Sequence, residues 1–178
     1  MHKSLHEYLT MKNILSIGLV IGAIPVASAQ TQFSVGLNSA QEVGTGSTSS
    51  ATGIGLLTLN LDGSVSYNIS YSGLTGTFSA AHIHGSATAF PGFNAGVLSG
   101  LANSPNGTSA GLLSGTTAIL TTEQQGWMQA GSTYVNIHTS AFPGGEIRGQ
   151  IVAVPEPGAI ALGAVGVLAL LGAARRRP

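Results

Sequence analysis

The sequence predicts an all-β protein: a Greek-key β-sandwich or flattened barrel of about eight strands with one short helix. An N-terminal signal peptide and a C-terminal transmembrane helix flank it. Three observations carry that expectation. Between residues 30 and 153, apolar residues alternate with polar or small ones, the period-two pattern of half-buried strands. Glycine accounts for 26 of 178 residues, roughly twice its usual share of about 7%, and much of it falls between those runs as turn punctuation. Finally, the two ends carry continuous apolar runs bordered by basic residues, unlike anything in the middle.

The first strand is expected at residues 32–37. In the next, Leu57, Leu59 and Leu61 alternate with Leu56, Thr58 and Asn60, and after Asp62-Gly63 the pattern resumes as Val65, Tyr67, Ile69 and Tyr71. Parity decides the turn between them. A two-residue Asp62-Gly63 loop would set Asn60 opposite Val65 and mix the faces. A three-residue loop, Leu61-Asp62-Gly63, sets Leu59 opposite Val65 and Leu57 opposite Tyr67, and puts Gly63 where a positive φ is needed. Further strands are expected at 79–84, 96–101, 116–120, 133–139 and 146–152. The one helix is expected at 122–130, capped by Thr122, with Gln125 at the capping-box position and Gly131 as its stop. Residues 44–53 read as a flexible surface loop, and 91–94 and 103–107 as loops. The expected core includes Leu57, Leu59, Val65, Ile69, Ile83, Val135, Ile137 and Ile147.

Composition excludes several functions. Charged residues are 7% of the chain, against about 25% in typical soluble domains. Only Glu42, Asp62, Glu123, Glu146 and Arg148 lie between residues 30 and 154. Such a domain has no electrostatic footprint for nucleic acid. The absence of cysteine removes disulfide scaffolds, thiolate nucleophiles and Cys-ligated metal sites. A hydrophobic share of 43% argues against intrinsic disorder.

The two ends read as addresses. Met11-Lys12-Asn13, the apolar run 14–24 and Ala27-Ser28-Ala29 make a charged n-region, an h-region and an A-x-A cleavage site. Residues 1–29 are therefore expected to be a secretory signal peptide, with Met11 as an alternative start and Gln30 as the first mature residue after cleavage at Ala27 and Ala29. At the other end, Pro155-Glu156-Pro157 precedes an apolar run at 158–174 and the cluster Arg175-Arg176-Arg177. Seventeen helical residues rise about 25 Å, enough for a thin bilayer, and the arginines stay cytoplasmic. Together these residues, 154–178, resemble the PEP-CTERM sorting signal of Gram-negative bacteria. That resemblance implies signal peptidase and an exosortase-type membrane protease as partners, with the inner membrane as a transient anchor. It also implies a destination at the cell surface or in the extracellular exopolysaccharide matrix.

Three central segments carry a second resemblance: Ala81-His82-Ile83-His84-Gly85, Tyr134-Val135-Asn136-Ile137-His138-Thr139, and Phe142-Pro143-Gly144-Gly145-Glu146-Ile147-Arg148-Gly149-Gln150. In this order and spacing, residues 32–152 resemble the CHRD domain. Ser86 and Ala87 stand where that family often has a proline. The resemblance implies an extracellular all-β module with no established catalytic residues.

Chemistry is most concentrated at His82, His84 and His138. His82 and His84 share one strand face, and Tyr134, Asn136 and His138 share another. If those strands are neighbours, three imidazoles converge, a donor set suited to Cu or Zn. Three histidines and one aspartate are too few for the dinuclear site of a Cu/Zn superoxide dismutase. The competing reading is that the imidazoles pin strands and loops by hydrogen bonding. Glu146 and Arg148 are expected to share a face as an exposed ion pair, and Tyr67, Tyr71, Tyr134 and Trp127 to pack rather than form a sugar platform. No carboxylate pair or phosphate loop is present. The expectation is thus an exported non-enzymatic module without a cofactor, the alternative being a mononuclear Cu/Zn-binding protein using the histidine triad.

Overall fold

The computed structural model describes residues 30–101 and 108–155. The predicted signal peptide with Ala27 and Ala29, the 103–107 loop, Glu156, Pro157, the 158–174 helix and Arg175, Arg176 and Arg177 lie outside the described residues. Among the described residues, no helix is long and apolar enough to cross a membrane.

Eight strands form: β1 (Thr31–Asn38), β2 (Thr52–Leu59), β3 (Val65–Ser72), β4 (Phe78–Gly85), β5 (Val97–Gly100), β6 (Gly111–Thr116), β7 (Thr133–Thr139) and β8 (Ile147–Ala153). A 3₁₀ turn, Ser39–Gln41, follows β1, and helix α1 spans Thr122–Gln129. The all-β class and the strand number agree with the sequence. The layering does not. Instead of two packed sheets or a closed barrel, the strands make one antiparallel sheet, ordered β5-β4-β7-β8-β1-β2-β3-β6. It curls into an open half-barrel with β5 and β6 as edges.

The curl follows from burial. Ile83 of β4 and Leu113 of β6 stand near opposite ends of the sheet, yet both are fully buried in one hydrophobic cluster. A flat sheet would leave that apolar face to water; curling turns it inward upon itself. Met128 of α1 joins the same cluster. All eight expected core residues are buried.

The three-residue loop forms as expected: Leu57 pairs with Tyr67 and Leu59 with Val65, and Gly63 has φ 87°. Asp62 Oδ1 accepts from the Ser64 amide at 2.9 Å and hydroxyl at 2.7 Å, closing the turn. Two elements differ from expectation. The strand placed at 116–120 is instead β6, Gly111–Thr116, an edge strand in which Leu113 alone is buried. Its Gly-rich sequence carries too little alternation to be seen, while 117–120 runs as coil tied back by Thr117 and Leu120 amides. The helix cap is Thr121 rather than Thr122, with Gln124 rather than Gln125 completing the capping box. Duplicated Thr and Gln residues made the frame ambiguous by one.

Candidate functional site

Strands β4, β7 and β8 lie side by side, and their alternation sorts two faces. Ile83, Val135, Ile137 and Ile147 point into the core. His82, His84, Tyr134, Asn136, His138 and Arg148 take the outer face. Register sets their neighbours: His84 pairs with Tyr134, His82 with Asn136, and Ala80 with His138, while Asn136 also pairs with Arg148 on β8. The segment between β4 and β5 and the one after β1 fold over this face, so β7 is buried on both sides except at half-buried His138.

The three histidines converge. One ring nitrogen from each lies within 4.8 Å of the others. His82 Nδ1 and His138 Nε2 are 3.1 Å apart. His84 Nδ1 donates to the Ala95 carbonyl at 2.9 Å, and His138 Nδ1 to the Pro143 carbonyl, also at 2.9 Å. A carbonyl accepts only, so both rings carry their proton on Nδ1 and present a bare Nε2 lone pair. His84 Nε2 is buried and has no hydrogen-bond partner. Burial holds all three imidazoles below the usual histidine range, reinforced for His82 by neighbouring His138. The same burial favours the neutral form of all three.

Beside them lies a charged layer. Tyr134 stands between His84, stacked at a centroid distance of 4.9 Å and 7°, and Arg148, whose guanidinium carbon is 3.5 Å from the Tyr134 ring centroid. Arg148 donates to the Phe93 carbonyl at 2.8 Å and to Asn94 Oδ1 at 3.2 Å. Glu42, after the 3₁₀ turn, is pushed up to about 7 by burial, against the opposing pull of Arg148 and Asn136. Glu42 Oε1 and Asn136 Oδ1 both lack a donor. The same crowding explains Gly145, which has φ 134°: a Cβ there would stand 2.5 Å from the Asn136 amide and 2.8 Å from Glu42 Oε1.

The expected Glu146–Arg148 ion pair is corrected. Both side chains are buried, and they serve separate networks. Glu146 Oε1 accepts from Ser49 Oγ and the Thr75 amide, both at 2.6 Å. Its Oε2 accepts from Thr139 Oγ1 at 2.6 Å and the Gly76 amide at 3.3 Å. Burial alone would raise its pKa; those four donors outweigh it and hold the carboxyl below the usual range. The 44–53 segment is correspondingly no free loop, because Ser47 also donates to the Glu146 carbonyl at 2.8 Å, and Thr52 and Gly53 already belong to β2. Tyr67, Tyr71 and Tyr134 are buried, in line with packing roles. Glu42 and Asn94 were missed, since nothing local in the sequence marks either as a neighbour of Arg148. Asn136 was visible only as a face-mate of His138.

The class so defined is a single antiparallel β module with a histidine-bearing outer face covered by its own loops. The model of the CHRD domain family matches residues 33–151, and the chain belongs to that family. No curated protein and no solved structure matches it.

Proposed function

We propose that the chain is an exported, non-enzymatic CHRD module, anchored transiently in the inner membrane and then displayed at the cell surface or released into the exopolysaccharide matrix. The observation that supports this best is where the domain ends. β1 and β8 are antiparallel neighbours, with Phe33 opposite Ala153 and the Val154 amide donating to the Gln32 carbonyl at 2.8 Å. Gln30 and Pro155 therefore leave the sheet side by side, both exposed. The described ends of the module thus lie next to each other, which is compatible with tails that reach one membrane from the same end of the domain.

The absence of catalysis is supported by how the polar groups are used. Glu146 and Arg148 spend their hydrogen-bonding capacity on loop backbone and loop side chains, which stabilises the module rather than leaving a reactive group. Mass spectrometry of the protein recovered from its host tests the processing. The expected mature chain begins at or near Gln30 and ends near Pro157. A sole stable species retaining Arg175, Arg176 and Arg177 would contradict it.

A further inference from the structure

We propose that His82, His84 and His138 form a mononuclear site for a divalent copper or zinc ion, through His82 Nδ1, His84 Nε2 and His138 Nε2. The proposal rests on the lone pairs, and neither export nor the absence of catalysis enters it. If it failed, the reading of the chain as an exported module would stand unchanged.

Four observations converge. First, a buried ring nitrogen without a partner is costly, and His84 Nε2 is such an atom. Second, carbonyl acceptors at Ala95 and Pro143 fix the tautomers of His84 and His138. That is the device by which metal-binding histidines are normally oriented, the non-ligating N–H being held by a backbone carbonyl or a carboxylate. Third, one ring nitrogen from each of the three histidines lies within 4.8 Å of the others. Metal–nitrogen bonds of about 2.0–2.1 Å put ligands of a tetrahedral ion about 3.3 Å apart. His82 Nδ1 and His138 Nε2 already meet that spacing at 3.1 Å, so closure requires only that the third donor move inward. Fourth, without a metal, His82 must place its proton on Nδ1 to donate to His138 Nε2. An ion would replace this proton, which then resides on His82 Nε2, so the site loads by a tautomer change in one ring.

The donor set selects the metal. Three imidazoles without thiolate or carboxylate favour Cu²⁺ and Zn²⁺ over Ca²⁺ or Mg²⁺, with Cu²⁺ the tighter by the usual order of divalent affinities. One charge opposes the ion. Arg148 reaches the cluster from β8, but Tyr134 stands between it and His84. Three protein ligands leave at least one coordination position open to water.

The test uses the full chain, purified in detergent, stripped with a chelator and titrated with Cu²⁺ and then Zn²⁺ alone. The proposal expects one ion per chain, and for Cu²⁺ an electron paramagnetic resonance spectrum showing three coupled nitrogens. His84→Gln should weaken binding by about 100-fold or more, since losing even an orienting partner costs 10–100-fold, with the far-UV circular dichroism unchanged. Should that variant fail to fold, His82→Gln, which alters a half-buried ring, must show the same loss. No stoichiometric binding would overturn the proposal. So would binding that survives both substitutions.

Discussion

Glu146 and His84 are both buried polar side chains flanking the same three strands, and the structure treats them in opposite ways. Glu146 accepts four hydrogen bonds, from Ser49, Thr75, Gly76 and Thr139. His84 makes one, to Ala95, and leaves its other nitrogen bare. Buried polar atoms are normally paired. A fully paired one therefore reads as structure, and a persistently bare one as a place where something else binds. Its chemistry need not be rare for this to hold; only its partner must be absent from the chain.

The largest expected effect breaks the paired side of that contrast. Glu146→Ala strands the buried Thr139 hydroxyl and the part-buried Ser49, Thr75 and Gly76 donors, and stranded donors cost roughly 1–3 kcal/mol each, so denaturant unfolding at pH 7 should show a loss of about 4 kcal/mol. The carboxylate also sets an acid limb. Its folded pKa is depressed, so the stability it supplies is fully present above the ordinary glutamate range and is lost as pH falls through the folded value. Glu146→Ala should flatten the stability profile below about pH 4.5. Next in size comes Ile137→Ala, on the core face of β7, where a truncated isoleucine costs about 2–5 kcal/mol. An equal loss on replacing half-buried His138 by Gln would show that both faces of β7 carry core weight, against the present division.

Smaller still is His84→Gln in the absence of metal. It removes one hydrogen bond and a ring stack but strands no second donor, and the expected loss is about 1 kcal/mol. A loss as large as that of Glu146→Ala would make His84 a structural pin. A separate, pH-dependent effect belongs to Glu42, whose folded pKa is raised to about 7. A raised pKa contributes stability below the unfolded value and loses it as pH climbs to the folded one. The protein should therefore lose part of its stability between about pH 4.5 and 7, and Glu42→Gln should remove that slope. A variant with an unchanged slope would locate the titration elsewhere.

How much of this was legible in the sequence depended on periodicity. β7 was read at its observed bounds because Val135 and Ile137 alternate cleanly with Tyr134, Asn136 and His138. The β2–β3 register followed from parity and one glycine. Strand β6 was not legible, as its edge position buries only Leu113 and leaves no two-residue rhythm to detect. The curl of a single sheet was also invisible, because alternation reports which residues face inward and not what closes over them. At the site, three histidines could be placed on two faces, and the neighbourhood of β4 and β7 followed if the strands paired. Glu42 joins Arg148 across more than a hundred residues of sequence, and its role emerges only when the segment after β1 folds over β8. The Glu146–Arg148 spacing misled for a related reason. Strand pairing put Arg148 opposite Asn136, with its guanidinium over the Tyr134 ring, while the turn after β3 drew Glu146 to the Thr75 and Gly76 amides.

The central claim, that His84 and His138 are protonated at Nδ1 and keep Nε2 unprotonated, is tested most directly by nitrogen-15 NMR of the imidazole rings in the metal-free protein at pH 7. The structure predicts that His84 and His138 are protonated at Nδ1 with an unprotonated Nε2, and that His84 Nε2 is the resonance that moves when Zn²⁺ is added. A His84 ring protonated at Nε2, or a set of ring resonances indifferent to Zn²⁺, would contradict it.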